Sequence, residues 1–180
     1  FKARGAANAV FSLSDAEAAR GVVTHSSGNH AAALARAAKL RGIAAHVVMP
    51  SNAPQAKQAA VSRYGGNIVL CEPTLAAREA TAASVMERTG AIFIHPYDNL
   101  RVMAGQGTAA LELLEQVPDL DVLLVQVGGG GLLSGSAVVT RALAPNAKVI
   151  AVEPAEADDA YRSVKSGKLI PLTQTTTVAD

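Results

Sequence analysis

Between Val122 and Thr140, nineteen consecutive positions carry no charged side chain, and four glycines, Gly128 to Gly131, stand in the middle of them. That length approaches the span of a membrane helix. A helix interior with four adjacent glycines would lose about 1 kcal/mol per glycine relative to alanine, so the run reads instead as a buried strand, a glycine turn and a helix. No membrane partner is expected from it.

The same grammar runs through the rest of the chain. Short apolar runs at Val22 to Thr24, Ile43 to Met49, Asn67 to Cys71, Ala91 to Ile94, Val122 to Val127 and Lys148 to Val152 read as strands. Most are continuously apolar, which is the pattern of parallel strands buried on both faces. Between them lie Ala-rich helical stretches: His30 to Arg41 stopped by Gly42, Pro54 to Tyr64 stopped by Gly65, and Leu75 to Thr89 stopped by Gly90. Proline near the first turn and glycine just past the last one are the expected punctuation. Alternating strands and helices imply an α/β fold with parallel sheets flanked by helices. The stretch from Pro96 to Leu100 is the expected crossing point between two parts of the chain.

Charge excludes several partners. The 180 residues carry 16 Lys+Arg against 15 Asp+Glu, aromatics make up 3% and tryptophan is absent, so neither a basic groove nor a base-stacking platform can be built. No nucleic acid is expected, and a small molecule is. The lone Cys71 forms no internal disulfide and fits a reducing, cytoplasmic setting. Phe1 stands where an initiator methionine would, and the chain reads as an internal piece of a longer protein.

The chemistry is concentrated in three segments. Val125 to Gly135, VQVGGGGLLSG, is a strand, a glycine run and a helix start, which together can offer backbone N–H groups and a helix dipole to a phosphate. A dinucleotide is the rival ligand, because Glu153 lies about twenty residues on, where a ribose-binding acid belongs. The G-x-G-x-x-G spacing then fails, since Leu133 and Ser134 stand where the third glycine is needed. A non-covalent dinucleotide- or phosphate-binding protein stays open as the alternative. The second segment, His25-Ser26-Ser27-Gly28-Asn29-His30, gathers hydroxyls, an amide and N–H groups at a helix N-terminus, suited to a carboxylate or simply to capping. The third, Phe1-Lys2-Ala3-Arg4-Gly5-Ala6, puts a lysine in a small, apolar setting.

In this order the three segments resemble the fold-type II pyridoxal-phosphate enzymes, in the branch of serine racemase and the serine/threonine dehydratases. The resemblance spans essentially the whole chain and implies a tryptophan synthase β-like fold. By analogy, residues 21–99 would form a small domain inserted in a large one made of 1–20 and 100–180. It implies pyridoxal 5′-phosphate as cofactor, held covalently by Lys2, with Gly128, Gly129, Gly130 and Gly131 at its phosphate and Asn29 at its ring hydroxyl. Ser26, Ser27, Asn29 and His30 would meet the substrate carboxylate. Lys2 would act as base at the substrate Cα, and Ser27 would face it from the opposite side. The implied reaction is dehydration of L-serine- or L-threonine-type hydroxy amino acids, with serine racemisation beside it, in a homodimer.

Further along, Gly105-Gln106-Gly107-Thr108 and Glu153-Pro154 followed by Ala157-Asp158-Asp159 also resemble the serine racemase branch. There the acidic pattern implies Mg²⁺ or Ca²⁺ on Glu153, the Ala157 carbonyl and Asp159; taken by itself, it is a solvated helix start. His46 and His95 read as structural residues, and Tyr64 and Tyr97 read as half-buried packing residues, with lining of the cleft as the alternative for either. Ala31, Ala32 and Ala33 stand where animal serine racemases carry a glutamine tied to nucleotide control, which argues against that control here.

Overall fold

The computed structural model describes residues 1–26, 28–172 and 177. In chain order it runs α1 (Lys2–Phe11), α2 (Asp15–Ala18), β1 (Val22–His25), α3 (Asn29–Arg41), β2 (Ala45–Pro50), α4 (Gln55–Arg63), β3 (Asn67–Cys71), α5 (Leu75–Thr89), β4 (Ile92–Phe93), α6 (Leu100–Gln116), β5 (Val122–Gln126), α7 (Gly131–Leu143), β6 (Lys148–Val152) and α8 (Asp159–Ser166). The strands form two parallel sheets, one ordered β3-β2-β1-β4 and one made of β5 and β6. Val22 lies opposite Ala45 on one side and Ile92 on the other, and Val122 lies opposite Lys148.

Local chemistry places the boundaries. Thr74 starts α5 by accepting the Ala77 N–H (3.1 Å), and Asn99 starts α6 by accepting the Val102 N–H (3.1 Å). Strand β2 begins at Ala45 rather than Ile43 because the Ile43 N–H turns back to the Ala38 carbonyl (3.0 Å), closing the end of α3.

The four-stranded sheet alternates as a strand period of two demands. Val22 packs with Ala9, Val10, Leu34 and Val102. Val47 and Met49 face Ala31, Ala35 and Val61, while Val23 and Val48 point the other way onto Ala82 and Val85 of α5. Both faces of β1 and β2 are thus covered, while the edge strand β3 leaves Leu70 exposed. The pair β5–β6 departs from the expectation of buried strands: Val125 is buried, but Leu124 is 65% exposed and Ile150 and Val152 are each 45% exposed. An apolar run alone does not report how many layers cover it, and α7 is the helix that packs on both of these strands.

Helix α6 is the spine that joins the two halves. The expected G-Q-G-T motif explains how. Gly105 lets the backbone of α1 come down on it at Arg4 and Gly5, and Gly107 meets Gly135 of α7. Gln106, 1% exposed, accepts the Gly5 N–H (3.1 Å). Among the described residues no helix is long and apolar enough to cross a membrane.

Candidate active site

Lys2 opens α1, whose small buried residues Gly5, Ala6, Ala9 and Val10 recur at helical spacing and seat it on α3 and α6. Arg4 fixes the first turn with a two-pronged ion pair to Glu112 (2.6 Å each) and a bond to Thr108 (3.0 Å). The pairing raises the Arg4 pKa and lowers that of Glu112, each chiefly through their hydrogen bond. Lys2 is half-buried, and its Nζ donates to the Pro96 carbonyl (2.7 Å). Burial lowers its pKa, which increases the share of neutral, nucleophilic amine.

The glycine run lies beyond that carbonyl. After β5, the Val127 N–H donates to Val152 (2.9 Å), the chain turns through Gly130 at φ +84°, and α7 begins with no side-chain cap on its N-terminus. Gly129 is a close-approach position: a β-carbon there would fall inside the Tyr97 ring. At Gly128 and Gly130 the same atom would meet open space. Lys2 and the loop are therefore held by neighbouring residues of one dipeptide, Pro96 on the lysine and Tyr97 on Gly129.

On the other side of Lys2 is a cavity of about 260 Å³ lined by Lys2, Asn29, Arg36 and Tyr64, among others. It brings together two of the expected residues and two that sequence reasoning passed over or read as packing. Ser26 donates its N–H to Val48 (3.1 Å) and accepts the Gly28 N–H on its hydroxyl (3.3 Å), and α3 then starts without a side-chain cap. Ser27, the expected second acid/base group, lies outside the described residues. His30 is 2% exposed, and neither ring nitrogen makes a hydrogen bond of ordinary geometry. Burial pushes its pKa down to about 3, so it is neutral and has no charge to offer a carboxylate.

Both Glu153 oxygens accept N–H groups of the α8 start, from Ala160 (3.1 Å) and Tyr161 (2.9 Å), and Asp159 is the first residue of that helix. Among the described residues no three His, Cys, Asp or Glu side chains gather into a metal site, while the expected set draws on only two carboxylates and the Ala157 carbonyl. Glu153 thus anchors the helix N-terminus, and no step is routed through a cation.

What the sequence missed after β4 is His95, and Tyr97 was weighed only as packing or cleft lining. Neither has a motif around it, yet their rings meet edge to face at 4.5 Å beside Lys2 and the glycine loop. Their part depends on tertiary contacts, for which a lone His and a lone Tyr give no sequence signal.

Comparison with known proteins decides the family. The profile described as "Pyridoxal-phosphate dependent enzyme" matches residues 1–180. The chain belongs to that family. It is 57% identical over 180 residues to a protein named beta-hydroxyaspartate dehydratase from Paracoccus denitrificans, covering all of this chain and 57% of that one. The solved structure of maize serine racemase superposes with a TM-score of 0.97 at 50% identity, covering 99% of this chain and 54% of that one. Threonine deaminase isoform 2 from Solanum lycopersicum superposes with a TM-score of 0.93 at 38% identity, covering 99% and 49%. The fold is that of these fold-type II enzymes. The chain spans about half the length of the relatives it matches.

The residues present fit the family's cofactor. The uncapped α7 start with open space at Gly128 and Gly130 suits a phosphate, and a lysine with a lowered pKa stands one dipeptide away.

Proposed function

We propose that the chain carries the cofactor-lysine part of an enzyme that dehydrates small hydroxy amino acids of the L-serine and L-threonine type, releasing ammonia, with serine racemisation as a second outcome. The observation that carries this reading is the Pro96–Tyr97 dipeptide, which holds the Lys2 amine and the glycine loop together. The names of the relatives, two of them a dehydratase and a deaminase and one a racemase, support it.

Pyridoxal 5′-phosphate, when bound, supplies an electron sink for the pair left behind when a bond at the substrate Cα breaks. The protein's part is to bind, orient and move protons. Gly128 to Gly131 offer N–H groups to the phosphate, and Asn29 offers its amide to the ring hydroxyl. Ser26, Ser27 and the N–H groups at the start of α3 orient the substrate carboxylate. The Lys2 Nζ, once displaced by the substrate amine, takes the Cα proton; its lowered pKa keeps it able to accept one near neutral pH. In elimination the Cβ–O bond then breaks and an acid protonates the leaving oxygen so that it departs as water, the proton held on Lys2 balancing the one delivered. Racemisation requires instead a proton delivered to the opposite face, the role assigned to Ser27.

The test is Lys2→Ala in the complete protein. Keto-acid release from L-serine and L-threonine should fall by about two to four orders of magnitude and the cofactor's visible absorbance should vanish. Normal turnover in that variant, or a colourless wild type that binds NAD, would replace this reading with the non-covalent alternative.

A further inference from the structure

The turn after β4 is closed in an unusual way. Pro96 has no N–H, and among the described residues no backbone–backbone hydrogen bond closes residues 95 to 98. The His95 side chain does it instead: Nδ1 accepts the Asp98 N–H at 2.8 Å and the Tyr97 N–H at 3.4 Å. We propose that His95 is a positioning residue for Lys2 and the glycine loop, its imidazole pinning the turn that presents the Pro96 carbonyl to one and the Tyr97 ring to the other. The clause about Lys2 rests on the function proposed above; the pinning itself does not.

The geometry fixes the protonation state. An imidazole nitrogen that accepts carries no proton, so the pinned ring is the neutral tautomer with its hydrogen on Nε2. The ring is wedged edge-on between His25 (centroids 5.5 Å) and Tyr97 (4.5 Å), with Phe93 at 5.9 Å. Titratable groups face it from every element around it: His25 from β1, Lys2 from α1 and the neutral His30 from α3, with Glu79 from α5 and Asp98 from the turn itself. Arg78 acts on His25 in turn. Burial first, then His25, hold the His95 pKa below the ordinary histidine value, and the two carboxylates oppose this without overturning it. The pin is therefore in place above the ordinary histidine range and is lost as pH falls through the lowered pKa, when Nδ1 gains a proton and stops accepting.

The consequence is a pH-dependent hold on the amine that does not involve titrating the amine. With His95 protonated, two N–H groups lose their acceptor, the Pro96 carbonyl is free to leave Lys2, and the Tyr97 ring is free to leave Gly129.

Asparagine separates the pin from the proton, because its side-chain oxygen can accept N–H groups two and three residues on without titrating. Amide hydrogen exchange should be followed in the complete protein from about pH 8 to about pH 4, corrected for intrinsic rates, while the His95 ring is titrated by NMR. Asp98 should be protected while His95 is neutral and should lose at least about tenfold of that protection when it is protonated, with Val23 in β1 unchanged. His95→Asn should keep the protection throughout and His95→Ala should lack it throughout. Cofactor should bind His95→Ala about tenfold more weakly and His95→Asn near normally. Protection at Asp98 that survives His95 protonation overturns the proposal, and so does His95→Asn behaving as wild type does in acid. If His95→Ala does not fold, the comparison of wild type with His95→Asn still decides. A cofactor that proves not to use Lys2 would void the functional reading and leave the exchange result standing, so the two failures are distinguishable.

Discussion

The two sheets are built from similar apolar strands and end in different states. In the four-stranded sheet every residue of β1 is buried, and α3, α4 and α5 cover the faces of β1 and β2. In the β5–β6 pair, Leu124 stands largely in the open and Ile150 and Val152 are nearly half exposed. The first region closes its own core. The second is held mainly by α6 against α7, through the contact of Gly107 with Gly135. The parts of the candidate site come from both: Asn29 and His95 from the first, the glycine loop from the second, and Lys2 from a helix that packs on α3 and α6 alike. The better-covered half thus supplies the frame, and the loop that would meet the phosphate is tied to it through the α6–α7 crossing and the Tyr97 contact.

The largest effect that would test this contrast is Leu34→Ala. Leu34 is fully buried among Val10, Val22 and Ile94, and its loss should cost about 3 kcal/mol in chemical denaturation. A cost under about 1 kcal/mol would mean that the first region is not the self-sufficient one.

A smaller effect is expected at Gly129→Ala, where the new methyl group meets the Tyr97 ring. Overpacking there should cost about 1–3 kcal/mol and weaken cofactor binding, and adding Tyr97→Ala should recover much of the loss, which a double-mutant cycle measures. Additive losses would show that ring and loop do not touch.

The smallest effect belongs to Leu124→Ala, a truncation on the open face of β5, which should change stability by no more than about 0.5 kcal/mol in this chain. The same change in the complete protein sharpens the comparison. A larger cost there would show that the face is covered in the longer chain, and an equal cost that it is not.

Much of this was legible in the residues. Asn67–Cys71, Leu75–Thr89 and Lys148–Val152 form the expected elements with the expected ends: Gly65 and Gly66 precede the first, Thr74 and Gly90 bound the second, and Pro145 and Pro154 flank the third. The order of the lysine, Ser-Ser-Gly-Asn-His and glycine segments pointed to the family that the profile match shows. Burial was not legible, since VLLVQ looks alike whether one layer or two covers it. Nor was the role of His95, which arises from a two-residue strand ending beside Lys2 and the loop, while Tyr97 was legible only as packing or cleft lining. Glu153 was assigned to a cation from a resemblance, and locally its carboxylate is engaged by the α8 N–H groups.

The central claim is that Lys2, not another amine, is the point of attachment for the cofactor. Borohydride reduction of the purified complete protein, followed by peptide mass mapping, measures this directly. The account predicts the mass of the reduced cofactor on the peptide containing Lys2 and on none containing Lys39, Lys57, Lys148, Lys165 or Lys168. Cofactor mass on any of those lysines, or an active protein with none on Lys2, would contradict it.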